Sequence, residues 1–385
     1  MESHLARRFA PTALMLGNIV TGCSVLAPAG MLGELSSGLD VSIRTAGLLI
    51  TFGAIVLCVG APVAAWLTSR VERRTLLTVT LAVLALTNVT SAFAPDYASL
   101  LIVRLIMLGV GAVYTPQAAG TAALIVPTEK RGSTVAYIFL GWSLATAISL
   151  PLITFVASRY GWRMAYGGIG VMGCVSVLLL AWRLPAGLIG TPVELKTWTD
   201  VVRNRLIVLL LLITTLQMSG QFVVLTFMGP LLTRLAGAGP DAIGLVFACY
   251  GFCGFIGIAI ATRIVDSWGA WRTSVLSTAL MLAGLTGWAV CAGSYPLMLA
   301  SVALWGLGFA ATNSMQQVRL IGAAPGLASA SVSLNSSVLY IGQALGSAIG
   351  GALYGRELLH ATGYVAAAFI ALALTLVILT RPKKP

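Results

Sequence analysis

Apolar stretches of about 20 residues follow one another along this chain with short polar breaks between them, the length a helix needs to cross roughly 30 Å of hydrocarbon. Twelve are read, at 9–33, 43–67, 75–94, 97–121, 134–157, 163–183, 206–232, 241–262, 273–292, 295–317, 327–354 and 360–380. A segment in lipid must satisfy its own backbone hydrogen bonds, so each stretch is predicted to be a helix. The expected fold is an all-α membrane protein of twelve transmembrane helices. The longest polar interruption, Leu184 to Arg205, holds two prolines, mixed charge and Trp198, and separates the sixth stretch from the seventh. It divides the chain into a six-helix bundle at 1–183, a linker at 184–205 and a second six-helix bundle at 206–385. A loose echo supports the division. Ser69-Arg-Val-Glu72-Arg-Arg after span two returns after span eight as Asp266-Ser-Trp-Gly269-Ala-Trp-Arg272, an offset of about half the chain.

Composition agrees: 58% of residues are hydrophobic and 9% charged, against roughly a quarter charged in soluble domains. Gly is abundant, at 42 residues, as expected where small residues let membrane helices approach closely. A net charge of +12 would suggest nucleic acid in a soluble protein. Here the cations fall in short loops, and orientation in the bilayer explains them better. With the N-terminus inside, 17 Lys and Arg lie on the cytoplasmic side and 5 on the other, with Arg104 alone inside a span, accounting for all 23. Both termini are therefore expected in the cytoplasm, as an even number of spans also requires. The six Cys all lie in apolar stretches. Cys249 and Cys253 are one helical turn apart without His or carboxylate nearby, so they read as buried thiols rather than a metal site. Arg7 and Arg8 precede a first stretch too long for a signal-peptide core.

Four stretches resemble the major facilitator superfamily, most closely its sugar-efflux and drug–proton antiporter branch. Arg263-Ile-Val-Asp266-Ser-Trp-Gly269-Ala-Trp-Arg272 is similar to the family's acidic–glycine–basic loop motif. Arg104-Leu-Ile-Met-Leu-Gly109-Val-Gly111 through Tyr114-Thr-Pro116 resembles its buried-arginine motif. Gly220-Gln221-Phe222 to Gly229-Pro230, and Ala324-Pro325-Gly326 through Asn335 to Gly350-Gly351, resemble its seventh and eleventh helices. The resemblance covers essentially the whole chain. It implies two pseudo-symmetric six-helix bundles, a small-molecule substrate, no nucleic-acid partner and function as a monomer in a bacterial inner membrane. There are departures. Ser69 stands at the acidic position of the first loop motif and Glu72 at its glycine position. Ser149 and Ile153 replace glycines beside Pro151, and span one lacks the glutamate common in relatives.

Candidate mechanistic residues follow. A cation inside a span costs about 3 kcal/mol on insertion scales and is a functional candidate by default. Arg104 is expected to polarise a proton site or hold an anionic group, with Glu34 or a backbone carbonyl as its partner; snorkelling to the nearer end is the plain alternative. All 11 acidic residues and both His lie in loops or at helix ends. Either Glu34 carries protons beside Arg104 or coupling is absent. The resemblance implies that Asp266, with Gly269 and Arg272, meets the start of span five near Arg131 and latches the cytoplasmic side. In the family's arrangement spans one, four, seven and ten face a central cavity. Its expected polar lining is Asn18, Thr21, Tyr114, Gln117, Gln217, Gln221, Asn313 and Gln317, with interhelical hydrogen bonding as the alternative role for each amide. Pro28, Pro116, Pro151 and Pro230 are expected to bend helices.

These readings point to a secondary transporter that exports a small, uncharged or weakly charged organic solute (drug-like, sugar or nucleoside-type) by alternating access, with the proton gradient as driving force and no bound cofactor or metal. An uncoupled facilitator or uptake carrier is the alternative within transport, and a non-transporting membrane sensor the alternative outside it. No His/Cys/Asp constellation supports an enzyme.

Overall fold

The computed structural model describes residues 2–68, 70–127, 131–189, 200–201, 203–324 and 327–381, nearly all helical. The first half comprises α1 (Glu2–Gly30), α2 (Leu32–Gly38), α3 (Ile43–Leu67), α4 (Arg73–Ala92), α5 (Tyr97–Ile125), α6 (Arg131–Leu144), a π-turn at Ala145–Ser149, α7 (Leu150–Tyr160) and α8 (Trp162–Arg183). The second half comprises α9 (Arg205–Leu225), α10 (Met228–Ala236), α11 (Pro240–Trp268), α12 (Ala270–Val290), α13 (Tyr295–Ala323), α14 (Ala328–Gly355) and α15 (Leu359–Leu379). Among the described residues eleven segments are long and apolar enough to cross a membrane. The expected twelve are not reached on length and composition, because α14 is too polar. Its Ser331, Asn335, Ser337, Gln343 and Ser347 are buried against neighbouring helices.

Local chemistry sets the helix boundaries. Ser42, Glu72 and Asp96 cap α3, α4 and α5 by accepting from the backbone N–H three residues on, and Asn204 caps α9. Proline explains two departures from the expected spans. α1 stops two residues after Pro28, leaving α2 as a separate short helix. Pro151 has no N–H to offer the Ala147 carbonyl, and the chain widens into the π-turn there, splitting the fifth span into α6 and α7. The seventh span likewise breaks at Thr226–Phe227.

The two sets of helices repeat one packing scheme. α4 lies on α8 and α5 as α12 lies on α15 and α13; α3 lies on α5 as α11 on α13; α1 lies on α6 and α8 as α9 on α14 and α15. The repeat reaches single atoms. The Tyr97 hydroxyl donates to the Thr45 carbonyl at 2.8 Å, and the Tyr295 hydroxyl to the Ala242 carbonyl at 2.9 Å, each at the start of its helix.

Phe9 lies under the Arg183 guanidinium, 5.2 Å away, and Arg319 near the end of α13 donates to Thr380 Oγ1 at 2.6 Å. The start of α1 and the end of α15 therefore share the end of the molecule from which the linker leaves, the linker end. At the far end the halves are tightly joined. Thr51 Oγ1 donates to Ser347 Oγ at 2.9 Å in a buried bond between α3 and α14. Phe227 stacks on Tyr354 with centroids 5.7 Å apart and reaches α3 only because residue 47 is glycine: a Cβ there would lie 2.5 Å from the ring. At mid-height α11 crosses the π-turn, where a Cβ on Gly251 would lie 2.2 Å from the Ala147 backbone. The buried core follows the same division. One apolar cluster runs through both halves, with Leu32, Phe227, Leu231 and Trp288 among its members. Among the described residues it gives way at the linker end to separate clusters, among them one around Leu14, Leu77 and Leu180 and one around Ile207, Leu320 and Val377.

Candidate functional site

At mid-height the first half builds a hydrogen-bond relay from three helices. The Trp142 indole N–H donates to Thr115 Oγ1 at 3.2 Å, Thr115 Oγ1 donates to Asn18 Oδ1 at 2.8 Å, and Asn18 Nδ2 donates to the Ile138 carbonyl at 3.0 Å. The second half answers with an aromatic stack. Tyr250 lies 5.3 Å from Phe309 and 4.9 Å from Trp305, and its hydroxyl donates to Gln221 Oε1 at 3.1 Å. Asn313 follows Phe309 by one turn of α13, and its Oδ1 is buried with no partner. Half-buried Gln317 lies one turn further on. Tyr340 of the second half packs, like Trp142 and Val56 of the first, against the first half's cluster of Val25, Leu57, Ala61, Leu108 and Ala112. An aromatic and amide layer thus spans the junction of the halves.

The other residues expected to line a cavity are engaged elsewhere. Thr21 Oγ1 donates to the Gly17 carbonyl of its own helix at 2.9 Å. Tyr114 is fully buried and donates to the Leu14 carbonyl at 3.2 Å, admitted by Gly17, where a Cβ would strike the ring. Gln117 accepts from Arg73 and donates to Thr68 Oγ1 at 3.1 Å, toward the linker end. Gln217 donates to Thr278 Oγ1 at 2.9 Å, joining α9 to α12.

Arg104 is 1% exposed and does not snorkel. Its Nη1 donates to the Ser24 carbonyl at 2.9 Å, its Nη2 to Val25 at 2.8 Å and its Nε to Leu49 at 2.8 Å. All three partners are backbone carbonyls, so the expected pairing with Glu34 does not form. The break at Pro28 puts Glu34 on α2, away from the guanidinium, where partial burial raises its carboxyl above the ordinary range. Among the described residues the ion pairs are Arg159–Asp241 at 3.5 Å and Arg234–Glu357 at 2.6 Å. The former joins the halves at the far end.

The side chains of Asp266 and Arg131, and Ser69, lie outside the described residues, so the expected latch is not seen. Gly269 joins α11 to α12 at φ +80, a conformation that favours glycine, and Arg272 on the first turn of α12 is exposed. Glu72 does more than cap α4. Its second oxygen accepts from the Gly187 N–H at 2.9 Å, and the Arg73 N–H donates to the Leu188 carbonyl at 2.8 Å, so the start of the linker is fastened to the first half. Hydrogen bonds from Thr75, first its hydroxyl, hold the Glu72 carboxyl below the usual range. The sequence reading missed Tyr250, Phe309 and Trp305. The spacing of Trp305, Phe309 and Asn313, four residues apart on one helix face, was the available signal.

The family model described as Major Facilitator Superfamily matches residues 14–236 and 210–385. "Inner membrane transport protein YdhP" of Escherichia coli (strain K12) is 31% identical over 384 residues, with 97% of this chain and 96% of the relative covered. "Probable sugar efflux transporter" of Mannheimia succiniciproducens is 26% identical over 345 residues, with 88% and 85% covered. Among solved structures, a bacterial homolog to the human lysosomal transporter Spinster, inward-facing and occupied, superposes with a TM-score of 0.75 at 16% identity over 97% of this chain and 96% of that one.

Proposed function

The chain belongs to the Major Facilitator Superfamily, a family of transporters rather than enzymes, and we propose that it exports a small organic solute across the bacterial inner membrane by alternating access. The moving parts are the halves at 1–183 and 206–385, with the linker at 184–205 between them, working as one chain without a cofactor and with both termini cytoplasmic. One observation carries the reading: among the described residues the apolar core is shared by the halves at the far end and divided at the linker end. A solute at mid-height then meets the linker side first, and rocking about the Gly251–Ala147 crossing exposes it to the other side.

The relay through Trp142, Thr115 and Asn18, facing Gln221, Tyr250, Phe309 and Asn313, suits a neutral solute with hydroxyl or amide groups and an apolar face. Rings receive the apolar face, and the unpartnered Asn313 Oδ1 takes a donor. The likeness to relatives named as probable sugar efflux transporters makes a sugar or similar polyol the first solute to test. Proton antiport is the proposed driving force. A second reading, facilitation without coupling, is favoured by the acidic residues: the described carboxylates lie at helix ends or in loops, and Glu34 stands apart from Arg104. Purified protein in liposomes, loaded with radiolabelled sugars and nucleosides and a pH-sensitive dye, tests both. Solute flux with an equivalent proton flux supports antiport, flux alone supports facilitation, and no flux for any solute tested leaves a sensor and refutes transport of these classes.

A further inference from the structure

A groove of about 340 Å³ is cut into the wall of the first half between α3, α4 and α5. Its origin lies in small residues. Gly60 and Gly109 meet at the α3–α5 crossing, and a Cβ on Gly60 would touch Ala112 at 3.2 Å. Where these helices lack side chains, Val63, Leu67, Leu76 and Val79 stand as walls. The outer walls face away from the protein: Val63 is 47% exposed, Val79 54% and Leu67 62%. In a chain built of spanning helices that surface faces hydrocarbon.

The groove ends at the linker end in a basic rim. Arg70, Arg73 and Arg74 follow one another with Glu72 there. The Glu72 carboxylate is occupied by Thr75 and Gly187. Arg73 shares a helix face with Leu76 and Thr80 of the groove, since they lie three and seven residues on. It is 6% exposed, its Nε has no partner, and its Nη1 bond to Gln117 leads through Gln117 Nε2 to Thr68 Oγ1, which lines the groove. Neither ion pair among the described residues involves these arginines.

We propose that this groove is a binding site for one anionic phospholipid, its acyl chain lying over Gly60 and Gly109 and its phosphate held by Arg70 and Arg73, while Arg74 is engaged with the Ala181 carbonyl of α8. Basic residues at the end of spanning helices attract anionic headgroups, and the adjoining apolar slot converts that diffuse attraction into a site for one molecule.

Native mass spectrometry of the full chain in a neutral detergent reads the number and affinity of bound lipids. Phosphatidylglycerol is expected to bind about tenfold more tightly than phosphatidylcholine of the same chains, with one tight molecule per protein. Arg70→Gln and Arg73→Gln should each cut that preference about fivefold, the effect of one basic residue at a membrane surface. Two variants address the slot. Gly109 lines the groove, and in Gly109→Leu the new Cβ meets only Val56 at 3.5 Å, an ordinary contact, so bulk is added at the groove wall without a backbone clash. Val63→Trp alters an exposed wall. Both should lose the tight lipid while keeping the wild-type helical signal and melting profile. Equal affinity for the two lipids, retention of the tight lipid by both groove variants, or full competition by inorganic phosphate alone would overturn the proposal.

Discussion

Removing Arg104 should unfasten α1 from α3 and α5, and the cost can be worked from its contacts. In a continuous helix the Ser24 carbonyl would accept from the N–H of residue 28, which is proline and has none. Arg104 Nη1 supplies the missing donor at 2.9 Å, and the same guanidinium reaches Val25 and Leu49. A hydrogen bond to a charged group contributes about 1.5–3 kcal/mol, so three contribute on the order of 6 kcal/mol. Placing the cation inside a span costs about 3 kcal/mol. Arg104→Met is therefore expected to destabilise the protein by about 2–5 kcal/mol, with the Ser24 carbonyl left unsatisfied. Arg104→Lys should recover less than half of this, because an ammonium cannot fork across three carbonyls on two helices. Pro28→Ala restores the helix's own donor to Ser24, so Arg104→Met should cost about 1–2 kcal/mol less in that background, a coupling measurable by a double-mutant cycle. Denaturant unfolding in detergent, followed by tryptophan fluorescence, provides the free energies. Equal losses with and without Pro28 would refute the assignment of Arg104 as the partner of an orphaned carbonyl. Wild-type transport by both Arg104→Lys and Arg104→Ala would further remove it from any coupling role.

Gly251→Ala forces a methyl into the Ala147 backbone; overpacking of this kind costs about 1–3 kcal/mol, and cysteine labelling at the far end should rise, whereas unchanged stability and labelling would mean the crossing is not close. Asn313→Leu removes a buried acceptor that has no protein partner, so stability should hold or improve while flux of the proposed solute falls about tenfold, the equivalent of one lost hydrogen bond of about 1.4 kcal/mol; undiminished flux would place the solute elsewhere. Glu72→Gln should loosen the start of the linker, seen as faster amide exchange at Gly187. Because the folded carboxyl lies below its ordinary value, its contribution is fully present above about pH 4.3 and is lost as pH falls through the folded value, so wild-type protein should lose the same Gly187 protection in that acidic window, after correction for intrinsic exchange rates.

The all-helical, membrane-spanning character of the chain and the order of its spans were largely legible because twenty-residue apolar runs have few alternatives in lipid. The exceptions have local causes. A polar α14 falls short on composition because its serines and amides face other helices, and a pattern of residue types does not reveal which neighbour will shield them. The π-turn follows from Pro151, but the sequence does not show that Gly251 will fit against it, since the two positions meet only after both halves have folded. The same holds for the site. Asn18, Gln221 and Asn313 were legible as amides that need partners, and Gln117 and Gln217 were equally so. Which of them meet the junction depends on helix rotation, and one helical turn separates Gln217, bonded to Thr278, from Gln221, bonded to Tyr250. Arg104 was legible as important, and a backbone carbonyl was legible as the alternative to Glu34, but not which carbonyls, because one freed by a proline four residues away leaves little trace in composition.

The departures from the repeated loop motif gain a physical meaning from the same comparison. After α11 the glycine position holds Gly269 at φ +80, and the chain simply turns into α12. After α3 the corresponding residue is Glu72 at φ −60, extended backbone that needs no glycine. The side chain gained there caps α4 with one oxygen and holds the Gly187 amide with the other. The first loop lies beside the start of the linker, and there the Glu72 carboxylate finds its second donor. The two halves share a packing scheme but not a role: the first carries the linker's opening residues as part of its own body. Among the described residues the tie to α4 reaches as far as Leu188, so the opening of the linker is held as one piece with the first half.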